Sequence, residues 1–181
     1  MNISGDVMKN LLRGILVIVI IAVVSVLFIY SGIYNISASV PHYKFTRWVI
    51  SKMTDNSIKH HAAEITELPN LTDSSLIKTG FLHYREMCSG CHGAPGIARN
   101  EVAEGLYPKP PKLLKSAKEW KPAELFWIIK NGIKMTGMPG FGISHPDDKI
   151  WAIVGFMGKL PDMSPEQYKA MDNKFKKEMD E

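Results

Sequence analysis

The sequence is short of three things. It has two cysteines in 181 residues, too few for the bridged framework that staples small secreted domains. It has no strong excess of one charge. Lys and Arg number 22 against 18 Asp and Glu, for a net charge of +4. That surplus is small and dispersed, which excludes the concentrated basic footprint of a nucleic-acid binder. It also lacks strand signals: no β-branched or aromatic run alternates with polar residues between turn residues. Helices must therefore make the fold. Internal repeats and low-complexity segments are missing too, which excludes solenoids and long disordered linkers. Apolar residues make up 45%, an ordinary share, and the length suits one small domain plus a further segment.

The further segment is at the N-terminus. Residues 1–13 are short and polar, with Lys9 and Arg13 just ahead of an apolar run. Residues 14–36 carry no charge. About 20 apolar residues span a bilayer as a helix, and Tyr30 and Tyr34 fall where an interfacial aromatic belt would lie. A cleaved signal peptide is the competing reading, but such apolar regions are shorter and end at a small-residue site. A retained anchor over 14–36 is the expectation. Lys44 and Arg47 follow the span as closely as Lys9 and Arg13 precede it, so charge does not orient it.

Residues 37–70 read as a juxtamembrane linker. Within it Phe45, Trp48, Val49 and Met53 share one helical face. That face suits packing on protein or lying on a membrane surface, and both readings stay open. His60 and His61 point different ways on a helix and read as surface residues.

Residues 71–163 read as the globular part. Thr72-Asp73 is an N-cap for a helix reaching Met87, with Leu76, Ile77, Gly80, Phe81, Tyr84 and Met87 on its apolar side. Gly80 inside it costs about 1 kcal/mol against Ala, which points to a close helix crossing. Gly and Pro punctuate 93–121, which reads as loop. There Lys109, Lys112, Lys115, Lys118 and Lys121 recur every third residue, as a solvated row or as a basic patch that steers an acidic partner. Pro122 opens a helix to Asn131, with Leu125, Ile128 and Ile129 on one face and Gly132 as its stop. A second Gly/Pro loop precedes a helix at about 147–159. Residues 164–181 read as a charged tail with an exposed helix from Pro165 to Glu178.

The two cysteines stand together in Cys88-Ser89-Gly90-Cys91-His92. C-x-x-C-H is the attachment pattern of a c-type haem. Each thiol adds across one haem vinyl group, and the adjacent His puts a ring nitrogen on the iron. A redox dithiol would follow a strand in a βαβ context, and none is legible. A zinc site needs a second ligand pair, and none stands at that spacing. A haem also supplies apolar core to a domain that is small for holding one alone. Haem c is attached outside the bacterial cytoplasm, which places the C-terminal part in the periplasm and the anchor in the inner membrane.

Iron has a second axial position, and whether it is filled separates electron transfer from catalysis or sensing. Met138, in Gly137-Met138-Pro139, is the strongest candidate on position. Met135, His145 and His83 remain open beside it, since most methionines are core filler and this chain has ten.

Taken together, these residues resemble the class I cytochrome c family, and most of all the single-haem modules of membrane-anchored cytochromes and of cytochrome subunits of oxidases and dehydrogenases. The resemblance runs from Leu76 to Leu160. It rests on Gly80 and Tyr84 before the haem motif, then Pro111-x-Leu113, then Gly137-Met138-Pro139-x-Phe141, then the helix from Asp148 to Phe156. It implies an all-α cytochrome c fold around one covalent haem c, preceded by a transmembrane helix. It implies Met138 as sixth ligand and a Pro carbonyl, at Pro111 or equally Pro110, accepting the other N–H of His92. It implies that the first and last helices cross, with Gly80 near Gly155 and Trp151. It implies a pocket lined by Leu113, Leu114, Ile128, Ile129, Met135 and Phe141.

The expected function is then a tethered one-electron carrier of a respiratory chain, not an enzyme by itself. It would serve as a free shuttle or as the cytochrome subunit of a redox complex, with membrane redox partners and inner-membrane lipid around it and no nucleic acid. The alternative is a peroxidase-like haem enzyme or gas sensor with an open sixth position, which needs His145 or Arg99 as its distal residue.

Overall fold

A computed structural model describes residues 3–180, with side chains from Gly5 to Phe175. Positions 1, 2 and 181 of the expected terminal segments lie outside the described residues. The chain divides into two units, one up to Val40 and one from Pro41 onward.

The first unit is one long helix, α1 (Ile3–Tyr30), with a short tail. Residues 5–30 are long and apolar enough to cross a membrane, by length and composition. The helix begins well before Gly14 and ends before Ile36, so the uncharged run and the helix do not coincide. Nothing in residues 3–13 breaks a helix, and Asp6, Lys9 and Arg13 are carried on it. At the far end the Ser31 hydroxyl donates to the Phe28 carbonyl at 2.7 Å, and Gly32 turns the chain at φ +65°.

The second unit is helical. Among the described residues it has no strand, only one isolated bridge between Ala94 and Ile97. It opens with α2 (Lys44–Ala62). The face with two open readings is not covered within this unit: Phe45, Trp48 and Met53 are exposed. Helical geometry instead carries the far side, through Ile58 (2% exposed) and Ala62 (3%), onto α7 (Pro122–Asn131). There the His61 ring stacks on Trp127, centroids 5.6 Å apart. His61 is exposed, as a surface residue, while its ring rests on Trp127.

Asp73 caps α3 (Ser74–His83), accepting from the backbone N–H of Ser75 at 2.9 Å and of Leu76 at 3.0 Å, which satisfies donors that the first turn leaves free. The helix does not run on as a regular α-helix. Tyr84–Cys88 forms a wider π turn, then α4 (Ser89–His92) closes the run. The crossing of α3 with α8 (Asp147–Met157) is the main contact of the unit. It is close because Gly80 has no side chain: a Cβ there would run into the Ala152 carbonyl and the Phe156 Cβ. Gly80 thus meets Ala152 and Phe156, while Gly155 receives Leu76. Phe81, Tyr84, Ile150, Ile153 and Phe156, all 0% exposed, fill the crossing.

Two features differ from expectation. The stretch read as loop contains α5 (Glu101–Gly105) and α6 (Leu113–Ser116). Asn100 nucleates the first, its side-chain oxygen accepting from the Ala103 N–H at 2.9 Å. And α9 (Pro165–Asp180) is not an exposed tail. Tyr168 (2% exposed) and Phe175 (5%) are buried, with ring centroids 5.2 and 5.3 Å from Phe81. Arg85 pairs with Asp172 across the contact at 3.1 Å. The apolar residues Tyr168, Met171 and Phe175 recur at helical spacing inside a charged sequence, which is why the helix docks.

Candidate functional site

The π turn delivers the cysteine motif to one wall of a cavity. An extra residue per turn at Tyr84–Cys88 changes the direction in which Cys88, Cys91 and His92 project. The turn is held from below. The Tyr84 hydroxyl donates to the Gly93 carbonyl at 2.7 Å, and Ser89 donates back to the Arg85 carbonyl at 2.7 Å. The Asn100 N–H bonds the Gly90 carbonyl at 2.8 Å, so α5 braces the motif.

Cys88, Cys91 and His92 all line a cavity of about 360 Å³, inside the usual range for cofactor sites. Its walls are apolar: Met87 and Met157 beside the motif, Leu125, Ile128 and Ile129 from α7, Leu113 from the start of α6 and Phe141 from the short turn before α8. Met138 lines the same cavity. Of the six lining residues expected, Leu114 and Met135 are not in the wall. Met135 sits at φ +59° and is 88% exposed, because the left-handed turn that brings Met138 inward sends Met135 out. Leu125, Ile133, Met157 and Met87 belong to the wall unforeseen, although Leu125 stood on the recognised face of α7.

The Met138 loop is tied at several points. The Met138 carbonyl accepts from the Ile133 N–H at 3.2 Å, and its N–H donates to the Thr136 hydroxyl at 3.1 Å. The loop lies against the end of α7, where Gly132 takes φ +67° and leaves no room for a Cβ beside the Met138 carbonyl. Glu124 steadies the other end of α7, accepting from the Lys121 N–H at 2.7 Å.

His92 Nδ1 stands 2.8 Å from the Pro111 carbonyl. A carbonyl only accepts, so Nδ1 carries the proton and the lone pair stays on Nε2. Pro111, not Pro110, supplies that oxygen. Burial holds the His92 pKa below its ordinary 6.5, with Arg99 adding to this and the Pro111 contact opposing it. Neutral imidazole is the form that binds metal.

The rival readings of the cysteines lose support here. Burial pushes the Cys88 thiol up to about 12, with Cys91 adding to the shift, whereas a redox dithiol needs a lowered pKa. Among the described residues no three His, Cys, Asp or Glu side chains gather as a metal cluster. His83 and His145 contact each other, centroids 5.5 Å apart, and neither lines the cavity, nor does Arg99.

Residues 75–157 match the family model for cytochrome c oxidase, cbb3-type, subunit III. Residues 75–157 are a cytochrome c domain. No curated protein matches the chain. The matched stretch begins in α3 and ends with α8, so it contains the helix crossing, the cysteine motif and the Met138 loop. A cytochrome c domain is a haem-based electron carrier, and the family implies haem bound covalently. The cytochrome domain here has the lining for one: a flat apolar macrocycle matches the cavity walls, and two thiols and a neutral imidazole share one side of it.

Proposed function

We propose that the chain is a membrane-tethered one-electron carrier of a respiratory chain. One haem c is attached through Cys88 and Cys91, with His92 and Met138 as its axial ligands. Bound there, the haem supplies a single redox step between ferric and ferrous iron. The protein residues do the rest. Pro111 orients the His92 ring and keeps its tautomer. Leu125, Ile128 and Ile129 keep water from the site. The Thr136 hydroxyl and the Ile133 N–H hold the Met138 backbone, and a neutral thioether favours the reduced state and raises the potential.

The observation that carries this reading is the shared cavity. The motif side chains and Met138 come from different elements and line one apolar space, while the other methionine of the loop faces solvent. The helix α1 would anchor the chain in a bacterial inner membrane, with the cytochrome domain in the periplasm where haem c is attached. The family match supports a membrane redox complex as its setting, as a subunit or as a shuttle that docks there. A tether raises the effective concentration of the domain near such partners.

Met138→Ala and Met135→Ala holoproteins test the ligand assignment. Met138→Ala should bind carbon monoxide and cyanide readily, and Met135→Ala should resist both like the wild type. Ready binding by the wild type would favour an open-site enzyme or sensor instead.

A further inference from the structure

The first turns of α2 carry an exposed apolar face that nothing in the second unit covers. Phe45 is 73% exposed, Trp48 59% and Met53 67%. The Phe45 and Trp48 rings stack on each other, centroids 6.0 Å apart. Lys44, Arg47 and Lys52 are interleaved in sequence, Lys44 and Arg47 on other sides of the same turns, and no acidic residue occurs from Lys44 to Met53. Lys52 stands on the same face as Phe45, two turns on, where its stem can lie along apolar surface while the ammonium stays wet.

We propose that this face is an interfacial anchor that seats α2 on an anionic lipid surface. The proposal rests on the reading of α1 as a membrane span. Three observations choose lipid over a protein partner. First, the chain reaches no farther. Residues 31–43 join the end of α1 to α2, and fully extended they cover at most about 45 Å. A spanning α1 therefore leaves the start of α2 within reach of the bilayer surface. Second, the connecting residues include exposed apolar side chains, with Ile33 at 73%, Ile36 at 90% and Val40 at 41%. A linker crossing water would be polar, whereas aromatic and aliphatic side chains mixed with Lys and Arg belong at the headgroup level. Third, the apolar character stops partway. Beyond Met53 the same face continues as Asn56, Lys59 and His60, all exposed, so only the end nearest the linker would enter the interface.

The consequence is orientation. The opposite side of α2 is packed on α7 through Ile58, Ala62 and the His61–Trp127 stack. From α7, Leu125, Ile128 and Ile129 form a wall of the haem cavity. Seating α2 on lipid would hold that cavity in one attitude to the membrane, presenting one side to membrane partners.

The test uses the full-length holoprotein in nanodiscs of phosphatidylglycerol and phosphatidylcholine doped with a photoactivatable phospholipid, with adducts mapped by mass spectrometry. Adducts on α1 report the span, and adducts on Phe45–Met53 report the proposal, so the two fail separately. Expected are adducts on both and none on the exposed side of α9. Each basic residue near an anionic surface strengthens attraction about fivefold. The triple variant Lys44→Glu, Arg47→Glu, Lys52→Glu should therefore lose its α2 adducts about tenfold or more, with α1 labelling and the haem spectrum unchanged. Labelled α1 with unlabelled α2 would overturn the proposal and leave that face for a protein partner. Labelling of α2 that the triple variant leaves unchanged would overturn its electrostatic part.

Discussion

Replacing Gly80 by Ala should destabilise the domain, against the sign of helix propensity. In an open helix the change gains about 1 kcal/mol. At the α3–α8 crossing the new methyl would run into the Ala152 carbonyl, which is backbone, and into the Phe156 Cβ. Neither can rotate away, so the helices must separate around residues that are 0% exposed. Overpacking of this kind costs about 1–3 kcal/mol, and a backbone obstacle puts the cost at the upper end. The net loss is then about 2 kcal/mol, or about 1 M in urea midpoint. Two companions calibrate the reasoning. At Gly155 the methyl would meet Leu76 Cδ2 at 2.5 Å and the Leu71 carbonyl at 3.2 Å. Leu76 can change rotamer, so Gly155→Ala should cost less than Gly80→Ala. At Gly105, the last residue of α5, nothing lies within 4 Å, so Gly105→Ala should be neutral or slightly stabilising. Urea unfolding of the holoproteins in detergent, followed by circular dichroism, measures all three. A Gly80→Ala protein as stable as the wild type would refute the close crossing.

Three other outcomes follow. Phe175→Ala should cost about 3–5 kcal/mol by the same measurement, since its ring is buried against Phe81; an exposed tail would show no effect. Asn100→Ala should cost about 0.5–2 kcal/mol through loss of the α5 cap, seen as a lower urea midpoint. Burial, with His145 and Lys149 nearby, holds His83 below its ordinary pKa of 6.5, and Glu86 and Asp148 oppose this. The unfolded chain therefore takes up that proton first, and stability should fall as pH drops through 6.5 toward the folded value. His83→Gln should flatten that acid-side decline in unfolding midpoints measured between about pH 8 and about pH 5.

Much of this was legible because the signals were local. Asp73 with free N–H groups ahead of it, and Pro122 and Gly132 at either end of α7, mark helix ends by chemistry that does not depend on the rest of the fold. Other features were not. The π turn at Tyr84–Cys88 leaves no periodic trace, because five residues are too few. The helices α5 and α6 are one turn each, below the reach of hydrophobic periodicity. The docking of α9 could have been found: Tyr168, Met171 and Phe175 keep helical spacing, but the charge around them masked it. The far end of α1 is set by Gly32 and not by the end of the uncharged stretch. At the site, position ranked Met138 above Met135, but the left-handed turn that sends the Met135 side chain outward leaves no trace in the spacing. Pro110 and Pro111 were equally open until the carbonyl facing His92 was seen. The exposed face of α2 could be seen in the pattern, while its packed face depended on α7.

The central claim is a six-coordinate haem held by His92 and Met138. Optical spectra of the purified full-length protein, oxidised and reduced, with haem staining on a denaturing gel, test it most directly. The account predicts covalent stain, low-spin bands in both states and the weak near-infrared-edge band of Met-ligated ferric iron, with that band lost in Met138→Ala. Covalent stain with a high-spin ferric spectrum in the wild type would contradict it and give the site to an enzyme or sensor.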